Sequence, residues 1–424
     1  MSSCNLQPLR LLLVLMVTAA ISSCANFRRL DADLTKMDVE RANIFVNVIA
    51  PANANDPTIV VLMADADGEN VLAYRVLSMV GEFEWLVPRR ETYFFAFSDL
   101  NRDLSFQRSE PHGWYRDGSS VDPDIPAGSR ITIVIDPADA DVASLPAKLV
   151  NTPLINFSLM LSVNIGTVTS LENPLFSPKQ AEKGLWQPYA FIEDGATGIF
   201  FLEEYDPRRI PVMFVHGING SPKNFEFIIQ SLDHSRYQAW VVSYPSGLRL
   251  DIIAKGIYQI VNVLQFRHGF DEMHLVAHSM GGLVSRGYVN ICAQRGDCSF
   301  LSSFTTIATP WYGAASAEMG IKHAPTVVPV WNDLVPDSDY IAPLFDTSMP
   351  DGVPYHLLFT FKRNNLIGAE NTDGAVTLAS QLRPDAQLQA DLVRGYNESH
   401  VGVLSSPAVL EQLELIFAAD NPSR

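Results

Sequence analysis

The chain has 424 residues and a formal net charge of −17, and 47% of its residues are hydrophobic. This length suffices for two or three domains with a large buried core. A strongly acidic chain repels phosphate backbones and anionic lipid surfaces at long range, so we predict no nucleic-acid partner and attribute the acidity to a solvated surface.

Residues 1–23 have the pattern of a signal peptide. Arg10 precedes an apolar run that is too short to span a bilayer. Ile21 lies three positions before Cys24, with two serines between them, which resembles a bacterial lipobox and implies a lipid on Cys24. An ordinary cleaved signal peptide is the alternative. We therefore expect a lipid-anchored protein of the bacterial cell envelope, on its periplasmic or surface side, with residues 24–42 as a tether.

Residues 43–137 alternate between apolar and polar side chains, and turn residues separate the runs. Such a period of two predicts short, half-buried strands of a sandwich. The alternating apolar positions include Ile44, Val46, Val48, Phe83, Trp85, Val87, Tyr93, Phe95 and Phe97. We predict a small antiparallel β-sandwich domain. Its pattern is similar to the transthyretin-like or carboxypeptidase-regulatory-like sandwiches that precede some secreted hydrolases.

One loop of this domain carries oxygen side chains at the spacing of an EF-hand-like calcium loop. These residues are Asp99, Asn101, Asp103, Ser105 and Glu110. Leu104 stands where such a loop needs glycine, and strand-like segments flank it. The loop is therefore either a weak calcium candidate or a polar turn, and we predict no other metal site.

Two cysteines lie close together in the second half of the chain. Cys292 and Cys298 are separated by five residues, and an oxidising compartment would favour a small-loop disulfide between them. Two unpaired thiols are the alternative.

From residue 206 onward, short apolar strands alternate with helical periods. This alternation predicts a doubly wound, mostly parallel α/β domain over residues 206–424, which binds ligands at the carboxyl ends of its strands. Residues 138–205 are rich in proline, asparagine and glycine, and we predict a linker with docking segments there.

The segment Met273–Ala277 has the pattern of a buried strand, and a helical pattern begins just after Ser279. A strand, a serine and a helix in this order form a nucleophile elbow, over which the chain reverses sharply. The residues two before and two after the serine must be small, and Ala277 and Gly281 are, although alanine replaces the usual glycine. We predict that Ser279 is a nucleophile. A glycine-rich turn without chemistry is the alternative.

A serine hydroxyl needs a base and an orienting carboxylate, and after an elbow serine the acid precedes the histidine. His400 precedes the final helical pattern and is the predicted base, in preference to His323 and His356. Asp373 lies in an Asp-Gly turn that follows an apolar strand, and it is the predicted acid. The other acid candidates are Asp333, Asp337, Asp339 and Asp346.

The apolar strand Ile210–Val215 runs directly into His216 and Gly217. Attack on an ester creates an oxyanion that needs two preorganised backbone N–H groups. We assign these to Ile218 and to Met280, the residue after the nucleophile. His216 is then a structural support.

Residues 210–417 together resemble the α/β-hydrolase superfamily, and within it bacterial lipases and carboxylesterases. The resemblance rests on His216, Gly217, Ile218, Ala277, His278, Ser279, Met280, Gly281, Asp373 and His400. It implies a serine ester hydrolase without a cofactor, acting on esters or acyl lipids. An acyltransferase or amidase with the same triad, or an inert envelope scaffold lipoprotein, are the alternatives.

A proline- and tryptophan-containing insertion at about residues 311–354 has the length of a cap over such a site. Its apolar residues form either an acyl pocket or ordinary cap core. They are Trp311, Val327, Val328, Val330, Trp331, Leu344 and Phe345.

Overall fold

The period-two segments fold into two small sheets that face each other. The computed structural model describes residues 7–50, 58–65, 71–77, 80–136, 163–362 and 371–419, with side chains from residue 24 onward. The strands are β1 (Arg41–Ile49), β2 (Thr58–Ala64), β3 (Val71–Leu77), β4 (Gly81–Pro88), β5 (Tyr93–Asp99), β6 (His112–Trp114) and β7 (Arg130–Val134). The sheet orders are β4-β1-β7 and β3-β2-β5-β6, and all pairings are antiparallel except β1 with β7.

Alternation explains why these segments form a sandwich. In β1 the side chains of Ile44, Val46 and Val48 are buried while those between them are partly exposed. Successive side chains of a strand point to opposite faces, so one apolar face of each sheet enters a shared core. The predicted sandwich domain is confirmed, with the one parallel pairing as a difference.

The second half of the chain forms an eight-stranded sheet, the central sheet. Its strands are β8 (Val163–Val168), β9 (Thr197–Phe201), β10 (Ile210–Val215), β11 (Tyr237–Ser243), β12 (Met273–His278), β13 (Leu301–Ile307), β14 (Tyr355–Thr360) and β15 (Leu392–Tyr396). Their order is β15-β14-β13-β12-β10-β11-β9-β8. Strands β10 to β15 are parallel, and β9 pairs with β11 antiparallel. In this order β10 lies between β11 and β12, so the chain continues to β11 on one side of β10 and then crosses to β12 on the other side. The direction in which successive strands are added therefore reverses beside β12, which is a topological switch point.

Helices cover both faces of the central sheet, as the alternating sequence pattern predicted. The helices of the described residues are α1 (Gln7–Glu40), α2 (Pro178–Trp186), α3 (Pro188–Glu193), α4 (Glu226–Gln230), α5 (Leu250–His268), α6 (Met280–Arg295), α7 (Ala315–His323), α8 (Trp331–Leu334), α9 (Leu378–Gln381), α10 (Pro384–Leu388) and α11 (Pro407–Ala419). Helices α4 and α11 bury their apolar side chains in one cluster, and α5 and α6 bury theirs in another. The doubly wound, mostly parallel fold class is confirmed.

The predicted linker is partly wrong. Residues 163–205 do not merely connect domains, because they supply β8 and β9 of the central sheet and the helices α2 and α3. The α/β half therefore begins before residue 206. Residues 138–162 of the predicted linker lie outside the described residues.

The predicted tether at residues 24–42 is also different in the structure. Its residues belong to the end of α1 and the start of β1. Leu30 is fully buried, and the carboxylate of Asp33 accepts hydrogen bonds from the backbone N–H groups of Tyr189 and Ala190 at 2.8 and 2.9 Å. Among the described residues, no helix has both the length and the hydropathy that crossing a membrane requires.

The sandwich packs against helix α5 of the α/β half. Arg267 donates a 2.8 Å hydrogen bond to the hydroxyl of Tyr74, and Lys255 pairs with Glu84 at 3.0 Å. Tyr74 belongs to the same buried cluster as the apolar face of α5. The two halves therefore share part of one core.

Candidate active site

Ser279 sits at a sharp corner between β12 and α6. Its backbone angles are φ 54° and ψ −130°, a conformation that a residue with a β-carbon rarely adopts. A side chain on Gly281 would collide with the carbonyl oxygens of Val215 and His216, so only glycine permits this corner to press against β10. The structure therefore contains the strand–serine–helix elbow that the sequence predicted.

Three side chains from different loops meet at this corner. His400 Nε2 lies 2.8 Å from the hydroxyl oxygen of Ser279, and His400 Nδ1 lies 2.8 Å from Asp373 Oδ2. Because an ionised carboxylate can only accept, Nδ1 carries a hydrogen and Nε2 is free to accept the serine proton. The structure thus brings together all three residues predicted for the triad.

Asp373 is buried, yet both oxygens of its carboxylate accept hydrogen bonds from protein groups. Its Oδ1 accepts hydrogen bonds from the N–H groups of Ala375 and Val376, at 2.9 and 2.8 Å. Its Oδ2 accepts from Thr360 Oγ1 at 2.6 Å and from Gln381 Nε2 at 3.1 Å. Burial raises the pKa of Asp373, but these hydrogen bonds and His400 outweigh it and lower the pKa to about 2.

Thr360 and Gln381 were not found by sequence reasoning. Thr360 ends β14, and Gln381 ends the short helix α9. Both lie at the ends of elements beside the acid loop, which is a position from which an Asp partner can be expected. Nothing in the local sequence distinguishes them from other polar residues.

His278 fixes the backbone beside the base. Burial, followed by repulsion from His400, lowers the pKa of His278 to about 3, so its ring is neutral at ordinary pH. Its Nε2 lies 2.8 Å from the backbone oxygen of His400 and donates to it. The N–H of His400 donates in turn to the carbonyl of Asp373 at 3.1 Å. Residue 400 is therefore held by the strand before the serine and by the acid loop.

The loop after β10 lies directly against Ser279. A β-carbon added to Gly217 would stand 2.8 Å from Ser279 Cβ, which shows how close the two backbones are. His216 is buried and stacks on Tyr244 at a ring separation of 4.2 Å, and the Tyr244 hydroxyl donates to the carbonyl of His216. Burial lowers the pKa of His216 to about 4, which fits a neutral support and not a second base.

Ile218 and Met280 both line the cavity that opens over Ser279 and His400. Ile218 directly follows Gly217 and Met280 directly follows Ser279, and Gly217 and Ser279 lie against each other. The cavity has a volume of about 530 Å³, which lies within the range of small-molecule sites.

The cap insertion contributes only part of its apolar residues to this cavity. Trp331 and Leu334 of α8 line it, together with the partly exposed Val401. Trp311 is fully buried and packs edge-on against Phe345 at 5.1 Å, so these two belong to the cap core. Of the apolar insertion residues named from the sequence, Trp331 is therefore the one that lines the cavity with Ser279 and His400.

The rejected candidates occupy other positions. His356 lies within β14, where its Nδ1 is 3.3 Å from Thr305 Oγ1. Asp333 pairs with Arg249 at 2.6 Å and accepts a hydrogen bond from the N–H of Leu250 at the start of α5.

The remaining predicted residues lie away from the cavity. Cys292 and Cys298 form a disulfide at the end of α6, with their Cα atoms 5.3 Å apart. Cys24 is exposed and has a free thiol.

In the calcium-like loop, the carboxylates accept hydrogen bonds from the loop's own backbone. Asp99 accepts from Asp103 and Leu104, and Glu110 accepts from Leu100 and Gln107. The only described carboxylate, thiol or imidazole groups close enough together to hold a metal are Cys292, Asp297 and Cys298, and two of these are joined in the disulfide. Calcium binding at the loop stays a prediction.

No family model matches this chain, and no curated protein matches it. Several solved structures are similar to its second half. A gene product of Listeria innocua is 15% identical, with 49% of this chain and 94% of that chain covered and a TM-score of 0.38. A lipase of Bacillus licheniformis in its mature form is 18% identical, with coverages of 51% and 97% and a TM-score of 0.41. Phospholipase PlaB from Legionella pneumophila is 20% identical, with coverages of 41% and 45% and a TM-score of 0.35.

The strand order of the central sheet, the elbow after β12 and the helices on both faces are those of an α/β-hydrolase fold. The fold resemblance drawn from the sequence is therefore confirmed.

Proposed function

We propose that this chain is a serine hydrolase that cleaves carboxylic esters through an acyl-enzyme on Ser279. The observation that carries this proposal is the continuous hydrogen-bonded path from Ser279 through His400 to Asp373, which opens into a cavity of about 530 Å³. A structural serine would not need a strained backbone, an imidazole at 2.8 Å and a buried carboxylate behind it.

In the proposed reaction, His400 accepts the hydroxyl proton as the Ser279 oxygen attacks the ester carbonyl. The N–H groups of Ile218 and Met280 stabilise the oxyanion that forms. His400 then gives the proton to the leaving alcohol, and the C–O bond to that alcohol breaks. A water molecule attacks the acyl-enzyme by the same route and releases the acid. Asp373 keeps the imidazole in the required tautomer and stabilises its cation.

A fluorophosphonate probe tests the nucleophile directly. We expect the wild-type protein to be labelled and Ser279→Ala not to be labelled. Ser285→Ala is the matched control, because Ser285 lies in the helix that follows Ser279, is buried and does not line the cavity. If neither the wild type nor the control reacts, the enzymatic proposal is wrong.

We further propose that the acyl chain of the substrate is long enough to contact Trp331 and Leu334, which form an apolar wall of the cavity. Hydrolysis of p-nitrophenyl esters of increasing chain length measures this. We expect kcat/KM to rise from the acetyl ester to esters of medium chain length. A preference for the acetyl ester would leave a short-chain esterase.

We also propose that Cys24 carries a lipid that holds the protein on a bacterial envelope membrane. The lipobox-like sequence before an exposed cysteine supports this. The wild-type protein is expected in the membrane fraction and Cys24→Ala in the soluble fraction. Membrane partitioning of the alanine variant would contradict lipidation at this residue.

A further inference from the structure

The residues that follow Cys24 contact the wall of the catalytic cavity. We call residues 24–40 of α1 the anchor helix. Phe27 packs edge-on against Trp331 at a ring separation of 6.3 Å and against Trp186 at 5.2 Å. Trp331 lines the cavity that contains Ser279. One aromatic cluster therefore joins the N-terminal helix to the active site.

The anchor helix is fixed along its length. Leu30 is fully buried, so packing the helix removes this apolar side chain from water and stabilises the contact. Asp33 accepts two backbone hydrogen bonds at the start of α3, where the helix N-terminus favours a negative charge. Lys36 pairs with Glu193 at 2.8 Å. A segment with this many contacts moves with the catalytic half and does not act as a flexible tether.

The geometry places Cys24 close to the cavity wall. Cys24 is one helical turn from Phe27, so the two residues differ by roughly 4.5 Å along the helix axis. The next contact, from Phe27 to Trp331, spans 6.3 Å. A lipid on Cys24 would therefore enter the bilayer at a point within a short distance of the cavity.

The surface near this point fits a bilayer. Arg28 and Arg29 are both exposed, although the chain as a whole carries a charge of −17. Beside the anchor, these two positive charges offset those of the exposed Asp31 and Glu182, and repulsion from the distant acidic surface is screened at short range. Val401, which lines the cavity beside His400, is 60% exposed and offers an apolar group at the mouth.

Resting on the proposed ester hydrolysis and on the proposed lipid at Cys24, we propose that the anchor helix is a rigid strut that holds the cavity mouth against the bilayer. The substrates are then acyl lipids of the same membrane that carries the protein. A flexible tether would let the active site sample soluble esters and other membranes equally well. The single turn between Cys24 and Phe27 gives the acyl chain a direct path from bilayer to cavity.

The test uses the full lipidated chain in vesicles of phosphatidylcholine and phosphatidylglycerol. A self-quenched fluorescent phospholipid is placed either in the vesicles that carry the protein or in separate vesicles. We expect hydrolysis in the same vesicles to exceed hydrolysis in separate vesicles by about ten-fold or more, since anchoring raises the local concentration. Equal rates in the two arrangements would overturn the proposal.

A length variant tests the strut itself. A glycine-serine segment of about 20 residues inserted between Ala25 and Asn26 spans roughly 25 Å as a flexible coil and separates the anchor from the aromatic cluster. We expect this insertion to lower same-vesicle hydrolysis at least about five-fold. The same segment added after Arg424 is the control and is expected to leave the rate unchanged. An insertion variant as fast as the wild type would show that the helix does not hold the mouth at the membrane.

Hydrolysis of soluble p-nitrophenyl butyrate separates this inference from the proposed function. All three proteins are expected to hydrolyse it equally, because the insertion leaves the triad and the cavity intact. Absence of this activity in the wild type would contradict the proposed ester hydrolysis. Retained activity with no difference between same and separate vesicles would contradict only the strut.

Discussion

Two buried carboxylates in this molecule accept similar backbone hydrogen bonds, yet their pKa values are shifted in opposite directions. Asp373 of the triad and Asp99 of the sandwich loop are each 1% exposed, and each accepts two backbone N–H groups. The pKa of Asp373 is lowered to about 2. The pKa of Asp99 is raised, first by burial, and the nearby Asp103 adds to the increase.

The difference in pKa comes from the side chains that lie near each carboxylate. Asp373 faces an imidazole, a hydroxyl and a side-chain amide, all of which donate to it. Asp99 lies near Glu110, and their like charges raise the pKa of Glu110 further after burial. Backbone amides alone therefore do not make a buried aspartate a catalytic acid partner. The donors on its other oxygen decide its role.

The largest expected effect separates the two carboxylates by activity. Asp373→Asn should lower kcat/KM for a soluble ester by on the order of 10³–10⁴-fold, because an amide can hold His400 in the wrong tautomer. Asp99→Asn should change kcat/KM by less than about two-fold, while it weakens the loop by about 1–3 kcal/mol through lost acceptors. Steady-state kinetics and thermal unfolding of both variants measure this. A comparable activity loss in Asp99→Asn would break the comparison.

The next effect concerns His278, which positions His400 through its backbone. His278→Ala should lower kcat about ten-fold or more with little change in KM, because His400 loses a fixed backbone position while the other residues that line the cavity are unchanged. His278→Gln offers a donor near the former Nε2 and should recover most of the rate. The split between kcat and KM, together with this rescue, distinguishes positioning from a general loss of folding. Full activity in the alanine variant would contradict the role.

The third effect is on stability in acid. The pKa of His216 is lowered to about 4 and that of His278 to about 3, while an unfolded histidine takes up a proton near 6.5. Below about pH 6.5 these two histidines are protonated in the unfolded chain but stay neutral in the folded chain. The free energy of unfolding therefore falls as the pH decreases. For His216 alone the loss approaches about 3 kcal/mol near pH 4. Urea unfolding at pH 7, 5.5 and 4.5 measures it.

The loop carboxylates should act in the opposite direction in the same experiment. Since the pKa of Asp99 and of Glu110 is raised in the folded chain, the folded chain takes up their protons first and gains stability as the pH falls. Asp99→Asn should therefore steepen the loss of stability between pH 7 and 4.5. An unchanged slope would mean that the loop does not oppose the histidines.

The smallest expected effect is that of calcium. Because backbone amides already occupy oxygens of Asp99 and Glu110, millimolar Ca²⁺ should shift the melting temperature by less than about 1 °C relative to a chelator. Differential scanning fluorimetry measures the shift. A rise of several degrees in the wild type that is lost in Asp103→Asn would support the calcium prediction in place of the polar turn.

The triad could be predicted from the sequence because each member has a local signature. Ser279 lies between a buried strand and a helix, Asp373 lies in an Asp-Gly turn, and His400 precedes the last helix. Chain order then restricts the combinations. Thr360 and Gln381 have no such signature, because their role depends on the ends of two elements meeting in space.

The limits of the prediction for residues 24–205 have a different cause. Strands β8 and β9 are short and contain Asn164, Gly166 and Gly198, so they look like turns until a neighbouring strand is known. The interspersed acidic and basic residues of the anchor helix favour its interpretation as a tether. The spacing of Phe27, Leu30 and Leu34 by three and four residues is nevertheless helical, and it could have predicted a packed face.

The double restraint on the backbone of residue 400 has a consequence for control. Its N–H is bonded to the acid loop and its carbonyl to the strand before the nucleophile, so pulling the base away would break both. Under the proposed function, regulation that displaced His400 would cost both hydrogen bonds. Blocking the cavity beside the exposed Val401 would stop access and leave the triad assembled.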